Sequence, residues 1–353
     1  MQFSKKQKII FGTFFLVILA ILLWRVKFWQ QNKTSNTGVL SGGQAQQLKQ
    51  LQSLNGLMLD NLALAGSRPL AVVIENHPDA RPQSGLAKAD LVYETLAEGG
   101  ITRFLAVYQS QKADNIGPIR SARTYFSEIA DELGAVFVHV GGNSDALADL
   151  KMGDYPHLLN MDQFFHGDYF HRITQRLAPH NVYSSTTKLQ AFILASKSAD
   201  KAEFGPWLYT DNFSGTQPAE KITVSFSYPE YEASYVYDAA RQAYERFLAG
   251  KPHVDAEGQI PIYAKNIIVQ SVRTWPVQTD TPLSIGMDLD GGGQAYVFSS
   301  GRMLAGTWKK AAGDRTRYYD EQGREIQLSR GATWIELVPE EKMGELKWSA
   351  AAK

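Results

Sequence analysis

Short apolar runs separated by polar turns dominate the chain after residue 66. Residues 69–74 (PLAVVI) form a continuous apolar run, which is typical of a buried strand. Similar patterns predict strands at residues 90–96, 102–108 and 135–140. Between the last two strands, apolar residues recur at the spacing of an amphipathic helix: Ala122, Tyr125, Phe126, Ile129, Ala130 and Leu133. Strands that alternate with helices predict an α/β or α+β domain, to which we assign residues 67–210.

The pattern changes after residue 210, where short strands follow one another without helices. Turn signals such as Asp290-Gly291-Gly292-Gly293 separate the strands. The strands are predicted at residues 221–228, 233–237, 243–247, 266–271, 294–298, 302–309 and 333–338. We therefore expect a second, mostly antiparallel β domain at residues 211–345.

The chain begins with a segment that differs from both domains. Residues 9–24 carry no charge, and Lys5, Lys6 and Lys8 precede them. A membrane span needs about 20 apolar residues, so the prediction is a cytoplasmic tail at 1–8 and a transmembrane signal anchor at 9–29. The alternative is a cleaved signal peptide, but no small-residue cleavage site follows. Residues 30–66 are polar and are interpreted as a linker.

This orientation predicts a single-pass protein of the bacterial cell membrane with its C-terminal bulk extracytoplasmic. The chain has no cysteine, which excludes disulfides, thiolate metal ligands, a cysteine nucleophile and a lipidated N-terminal cysteine. Its formal net charge is zero, with 36 basic and 36 acidic residues. No global field favours nucleic acid, so the membrane is the first expected partner.

Two arginines occupy an unusual position in the first domain. Gly117-Pro118 is interpreted as a helix entry, because proline costs nothing at the first helical position. Arg120 and Arg123 would then lie in the first turn, where a cation is unfavourable by about 0.3–1 kcal/mol. An anion bound at this helix end would remove the conflict.

The ligand of this site is predicted to be a phosphorylated envelope glycan or a lipid-linked phosphate. Arginine suits phosphate bidentately, and nearby carboxylates could hold Mg²⁺ against a pyrophosphate. The candidate ligand-binding residues are Arg103, Arg120, Arg123, Ser121, Glu75, Asn76, Asp90, Glu94, Glu98, His180 and Asn181. In the alternative interpretation, the arginines pair with the same carboxylates and only lock strand to helix.

Two other kinds of site are weaker hypotheses. Ser144 follows a predicted strand and opens a helix, as a nucleophile elbow does, and His171 or His180 could serve it; alternatively, Asn143 or Ser144 caps the helix. The histidines between His77 and His180 match no metal-binding spacing, so no metal site is predicted.

Several long motifs resemble the YerB-type bacterial lipoproteins. The motifs are Glu75–Leu86, Ala89–Glu94, Glu98–Phe104, Gly117–Arg123, Pro179–Tyr183, Asn266–Val269, Gly306–Lys310 and Gly331–Trp334. The resemblance covers the chain from about Arg68 to its C-terminus. It implies two domains and an envelope location, and it brings no established activity. Because this chain lacks cysteine, its anchor must be the apolar N-terminal segment.

The layout of the first domain also resembles that of LytR-CpsA-Psr phosphotransferases, without a shared long motif. Those enzymes use arginines on a pyrophosphate and carboxylates on magnesium. The sequence therefore leaves three hypotheses: an anion-binding, phosphotransferase-like envelope protein; a non-catalytic envelope scaffold or protein- or glycan-binding module; and a serine hydrolase at Ser144.

Overall fold

The computed structural model describes residues 54–59, 67–196, 205–311 and 314–350, and all of them belong to one compact unit. The expected transmembrane anchor at 9–29 lies outside the described residues. Within the described residues, no helix is long and apolar enough to cross a membrane. Leu54 and Asn55 come from the predicted linker, yet both are buried against the first domain.

The secondary structure is mixed α/β first and mostly β afterwards, as predicted. The strands of the first part are β1 Leu70–Glu75, β2 Leu91–Leu96, β3 Thr102–Tyr108, β4 Val136–His139, β5 Leu159–Asp162, β6 His171–Arg172 and β7 Val182–Tyr183. The helices are α1 Thr124–Glu132, α2 Ser144–Met152 and α3 Thr186–Ala195.

The second part contributes strands only, apart from short 3₁₀ turns. They are β8 Tyr209–Thr210, β9 Gln217–Pro218, β10 Lys221–Val224, β11 Ala233–Asp238, β12 Ala243–Leu248, β13 Lys251–Pro252, β14 Val254–Asp255, β15 Ile260–Pro261 and β16 Tyr263–Ala264. The remaining strands are β17 Asn266–Pro276, β18 Ile285–Asp288, β19 Gly291–Ser299, β20 Arg302–Lys310, β21 Arg317–Asp320, β22 Leu328–Ser329, β23 Thr333–Pro339 and β24 Lys347–Ser349.

One continuous sheet joins the two parts of the chain. Its strand order is β21-β20-β19-β17-β23-β2-β3-β1-β4-β5. Strand β23 lies parallel to both β2 and β17, so it connects the first part to the second. Strands β1, β4 and β5 are also parallel, and β3 runs antiparallel between β1 and β2. The carboxyl ends of β1, β2, β4, β5, β17 and β23 therefore lie at one edge of this central sheet.

Each face of the central sheet has its own hydrophobic core. Side chains alternate between the faces, so Val73 and Leu105 pack with α1, whereas Ile74 and Phe104 pack with the second sheet. That sheet has the order β13-β12-β11-β10-β24 and is antiparallel throughout. Trp334 lies between the two sheets and is 1% exposed.

Helix α1 begins four residues later than the arginine motif predicted. Gly117–Pro118 is a cis peptide, and the segment after it is extended rather than helical. The N–H of Arg120 donates to Val73, and Ile119 forms a β-bridge with Ile74. Ala122 forms a second bridge, with Gly142 after β4. The segment stays extended as far as Arg123, which is the N-cap of α1 and has no side-chain capping hydrogen bond. Arg120 therefore lies outside the helix.

Candidate functional site

The three predicted arginines meet at the carboxyl edge of the central sheet. Arg103 is at the start of β3, directly opposite Glu75 at the end of β1. Arg120 and Arg123 lie on the extended segment before α1, which is inserted between the ends of β1 and β4. In sheets with parallel strands, ligands bind in the crevice outside the carboxyl ends. We call Arg103, Arg120, Arg123, Glu75 and Glu98 the arginine cluster.

Glu98 joins two of these arginines. Its Oε1 accepts from Arg103, and its Oε2 accepts from Arg123 Nη2 at 2.6 Å and Nε at 3.1 Å. The two arginine side chains are only 4% and 5% exposed. Glu98 reaches them from a turn in which Gly99 and Gly100 have φ values of 65° and 76°. Glycine adopts this left-handed conformation without strain, so the Glu-Gly-Gly sequence suits this turn.

Glu75 holds the third arginine together with a histidine. Its Oε2 lies 3.1 Å from Arg120 Nε and 2.7 Å from His180 Nδ1. The contact of Arg120 with Glu75 is an ion pair between a guanidinium and a carboxylate. The Arg120 side chain is 22% exposed, which makes it the most accessible arginine of the cluster.

The arginine cluster contains more positive than negative groups. Three guanidinium groups form direct ion pairs with two carboxylates, Glu75 and Glu98. The Nε and Nη1 atoms of Arg103 are buried and make no hydrogen bond among the described residues. A buried donor without an acceptor costs roughly 1–3 kcal/mol, and more when it is charged. An anion that reached these two atoms would remove this cost.

The pKa shifts of the cluster residues reflect the same crowding of positive charge. Burial lowers the pKa of Arg120, and the charge of Arg103 lowers it further, whereas Glu75 opposes the shift. Burial and the charge of Arg103 likewise lower the pKa of Arg123. Burial alone would raise the pKa of Glu98, but Arg103 and Arg123 together hold it below its ordinary value. The guanidinium groups thus repel one another across the cluster, and another negative group would relieve that repulsion.

Glu94 does not join the arginine cluster, because it lies on the opposite face of the central sheet. In the β2–β3 hairpin, Thr95 is opposite Arg103 and Glu94 is opposite Phe104. Side chains of neighbouring strand residues point to opposite faces, so Glu94 faces the second sheet. There its oxygens accept from Asn76, Thr102 and Arg246. Glu94 is therefore not placed to hold Mg²⁺ at the arginines.

Arg246 and Glu94 are the centre of a fully buried polar network. Both side chains are 0% exposed, and Arg246 also donates to Tyr235 and to His253 Nδ1 at 2.7 Å. Burial and then the Arg246 charge lower the pKa of His253 well below its ordinary value, so the ring is neutral. Its Nε2–H donates to Gln83, which in turn donates to the Glu75 carbonyl. This network fixes the backbone beneath the arginine cluster.

Glu336 gives the network a dependence on pH. Burial and then the charge of Glu94 raise its pKa well above the model-compound value of 4.5. A carboxyl group whose pKa is raised in the folded state stabilises the fold at low pH, and this stability is lost as the pH rises through the folded pKa. We expect Glu336→Gln to gain stability relative to the wild type as the pH rises above about 5. Urea unfolding at several pH values measures this, and a constant difference would contradict it.

Asp90 is also buried away from the arginine cluster, at the other end of β2. Its oxygens accept from the backbone N–H groups of Gln109 and Ser110, from the Ser110 hydroxyl and from Asn55. These contacts tie the segment at residue 55 to the start of β2. Asp90 thus has a structural environment and does not face the cluster.

The remaining predicted residues have local partners. Asn76 is fully buried and donates to Glu94 and Thr102, and Arg81 donates to its side chain. Asn181 accepts from Arg172 and donates to the carbonyl of Ile173, so it stabilises the β6–β7 connection. Ser121 is half-buried, between Arg120 and Ala122.

The described hydrogen-bond partners of Ser144 are carboxylates. Its hydroxyl donates to Asp145 at 3.1 Å, and its N–H donates to Asp280. No described hydrogen bond joins it to a histidine. Asn143 caps α2 by accepting from the N–H of Ala146, which is the capping alternative.

Two groups of residues were missed by the sequence reasoning. Arg246 and His253 belong to the predicted β domain, and no local pattern links them to Glu94, which is 152 residues from Arg246. The spacing of the histidines predicts no group that joins His77 and Asp79 to His180, but His77 stacks on His180 with ring centroids 5.3 Å apart. In the sequence, the His77-Pro78-Asp79 turn and the Pro179-His180 pair are the features that could have indicated this contact.

Comparison with known protein families accounts for most of the chain. Residues 54–200 match the N-terminal domain, and residues 222–335 the C-terminal domain, of a family described as a protein of unknown function (DUF3048). The chain is 35% identical over 278 residues to the "Putative lipoprotein YerB" of Bacillus subtilis (strain 168). This alignment covers 77% of the chain and 82% of the relative.

A solved structure agrees with the fold. The crystal structure of the YerB protein from Bacillus subtilis matches with a TM-score of 0.74 and 32% identity. The match covers 85% of this chain and 99% of the YerB chain. The long motifs that resemble YerB-type proteins are thus confirmed, and the chain belongs to the DUF3048 family.

Proposed function

We propose that this chain is a membrane-anchored, extracytoplasmic envelope protein that binds a phosphate-bearing ligand at Arg103, Arg120 and Arg123. The observation that carries the proposal is the buried guanidinium of Arg103, whose Nε and Nη1 make no hydrogen bond among the described residues. These donors lie in a cluster with three arginines and two carboxylates. A phosphate group supplies both the missing charge and the missing acceptors.

Phosphate suits this arrangement better than a neutral ligand does. Arginine donates to phosphate through a planar fork, and charge-assisted hydrogen bonds of this type contribute about 1.5–3 kcal/mol each. Arg120 is partly exposed and contacts Glu75 through Nε, so its other N–H groups can turn towards a ligand. Arg103 would contact the ligand from the floor of the site.

The envelope location is supported by sequence and by similarity. Residues 9–24 are apolar and follow three lysines, which favours a retained anchor with the bulk of the chain outside. The relative YerB is named a lipoprotein, and this chain has no cysteine to carry a lipid. Phosphorylated glycans and lipid-linked phosphates are the phosphate-bearing molecules expected at that location, and a phosphotransferase-like activity would be the catalytic form of this proposal.

Thermal unfolding of the full chain with added pyrophosphate tests the proposal. A ligand at one hundred times its Kd stabilises the folded state by about 2.7 kcal/mol, which raises the melting temperature. We expect Arg120→Gln to weaken pyrophosphate binding at least about tenfold, because it removes a charge-assisted donor. Binding is measured by calorimetry as well, so that altered stability alone is not mistaken for lost affinity.

Arg317→Gln is a matched control for this experiment. Arg317 also pairs with a glutamate, Glu325, and its side chain is 23% exposed, compared with 22% for Arg120. This control should bind pyrophosphate as the wild type does. If no variant or wild-type protein binds, or if Arg120→Gln binds normally, the arginines are structural and the scaffold hypothesis is favoured.

A further inference from the structure

Beside the arginine cluster, two histidines and an aspartate converge on one point. Candidate ligand atoms of His77, Asp79 and His180 all lie within 4.8 Å of one another. His77 and Asp79 come from the turn after β1, and His180 comes from the loop before β7. We propose that these three side chains bind a divalent transition-metal ion of the Zn²⁺ class. The proposal does not depend on phosphate binding at the arginines.

The His77–Asp79 pair already has a spacing close to that of two metal ligands. His77 Nδ1 lies 3.6 Å from Asp79 Oδ2. Two ligands at 2.0–2.1 Å from a tetrahedral Zn²⁺ are roughly 3.3 Å apart. Asp79 is 75% exposed, so its carboxylate can move by this small amount. The metal would replace only the 3.3 Å hydrogen bond from the Asp79 N–H to His77 Nδ1.

His180 has a carboxylate on one ring nitrogen, as metal-binding histidines usually do. Its Nδ1 contacts the Glu75 carboxylate at 2.7 Å, which leaves Nε2 as the atom for a metal. A carboxylate on the second ring nitrogen fixes the tautomer and makes the imidazole a stronger ligand. Glu75 is buried, and its backbone is held by Gln83, so the orienting group is itself rigid.

The two segments that carry the ligands are joined by an arginine. Arg176 donates to the carbonyl groups of Ala80 and Pro82, and thus links the loop before β7 to the turn after β1. The stacking of His77 on His180, with an interplanar angle of 20°, adds a second contact between them. The ligand set is therefore assembled largely before a metal binds.

The chemistry of the donor atoms indicates which cation this group would bind. Two imidazole nitrogens and one carboxylate suit Zn²⁺, Co²⁺ or Fe²⁺, whereas Mg²⁺ prefers oxygen ligands only. Three protein ligands leave at least one coordination position for water or a further ligand, as in catalytic rather than structural zinc sites. The Glu75 carboxylate contacts both His180 and Arg120, so the three metal-binding side chains would hold an ion beside the arginine cluster.

Titration of the full-length, tag-free protein with Co²⁺ tests the inference, with visible absorption as the signal and Zn²⁺ as competitor. We expect one Co²⁺ per chain, displaced by Zn²⁺ and not by Mg²⁺. Asp79→Asn and His180→Gln should each weaken Co²⁺ binding at least tenfold. Because Asp79 is exposed, its replacement leaves the fold intact, which circular dichroism checks.

Two further variants sharpen this experiment. Glu75→Gln should weaken Co²⁺ binding by about 10- to 100-fold without removing a ligand, as expected for an orienting carboxylate. His157→Gln is the control, because His157 is an exposed histidine outside the group. Loss of binding in His157→Gln, or unchanged binding in both Asp79→Asn and His180→Gln, would overturn the proposal. Neither outcome depends on whether pyrophosphate binds.

Discussion

Replacement of Arg246 by methionine is expected to lower the free energy of unfolding by about 3–5 kcal/mol. Arg246 and Glu94 form an ion pair whose side chains are both 0% exposed. Methionine fills a similar volume but cannot compensate the charge of Glu94. The cost arises because an unpaired buried charge remains, and not because the pair itself is strongly stabilising.

The surroundings of Arg246 add to this cost. Its guanidinium lies 4.3 Å from the ring centroid of Trp334, and cation–π contacts to Tyr235 and Phe104 flank it. The neutral His253 would also lose the donor to its Nδ1. Burial would lower the pKa of Arg246, but Tyr235, Glu94 and Glu336 raise it, so Arg246 remains charged at every accessible pH.

Urea unfolding measures the loss, with Arg241→Met as the control. Arg241 lies in the turn before β12 and pairs with Asp238, but it is 63% exposed. Its replacement should change stability by no more than about 0.5 kcal/mol. The double variant Arg246→Met/Glu94→Gln should be more stable than Arg246→Met, because it removes the stranded charge. An Arg246→Met protein as stable as the control would contradict the described burial.

Replacement of Glu98 by alanine is expected to have a similarly large effect on the free energy of unfolding, and it also tests the proposed binding of an anion. Glu98 is the carboxylate partner of Arg103 and Arg123, which are both nearly fully buried. Without it, two buried guanidinium groups repel each other, and we expect a loss of about 3–5 kcal/mol. Added pyrophosphate should restore part of this stability, and more of it than it adds to the wild type.

Glu325→Ala is the matched control for Glu98→Ala. Glu325 is 19% exposed and Glu98 is 20% exposed, but the Arg317 partner of Glu325 is 23% exposed. A partly exposed pair of this kind contributes about 0–1 kcal/mol, and pyrophosphate should not rescue its loss. Chemical unfolding with and without pyrophosphate separates the two variants. If both variants lost the same free energy of unfolding, or if pyrophosphate restored both equally, burial of the arginines would not explain the effect of Glu98→Ala.

The stability gap between the wild type and Glu98→Ala should also depend on pH. The pKa of Glu98 is below its model-compound value of 4.5 in the folded state. Such a carboxylate stabilises the fold above its unfolded pKa, and this contribution is lost as the pH falls through its folded pKa. The gap should therefore narrow below about pH 4.5, towards acid.

Much of the fold could be predicted from the sequence, because its strands are short apolar runs with clear turns. The predicted strands at residues 69–74, 90–96 and 102–108 correspond to β1, β2 and β3. The helix-spaced residues Tyr125, Phe126, Ile129 and Ala130 are all buried. Local periodicity determines such elements, since it reflects which side of a strand or helix is buried.

The beginning of α1 could not be predicted, because a tertiary contact overrides the local signal. Gly117-Pro118 has the composition of a helix entry, but pairing with β1 and with residues 140–142 after β4 keeps the segment extended as far as Arg123. The arginines still meet at one site, although not in the first helical turn. The sequence therefore predicted that the arginines lie near one another, but it did not predict that Arg120 is outside the helix.

The candidate site divides in the same way between sequence and tertiary structure. The sequence by itself identified the arginines as candidate site residues and placed Glu98 at a glycine turn and Glu75 at the end of a strand. It could do so because hairpins and strand ends are formed by residues close together in the chain. Only the tertiary structure placed Arg246 against Glu94, β23 between the two halves, and His77 with Asp79 beside His180. The physical reason is that strand order and sheet packing join residues far apart in the chain, and local pattern contains no information about which distant partner each buried charge receives.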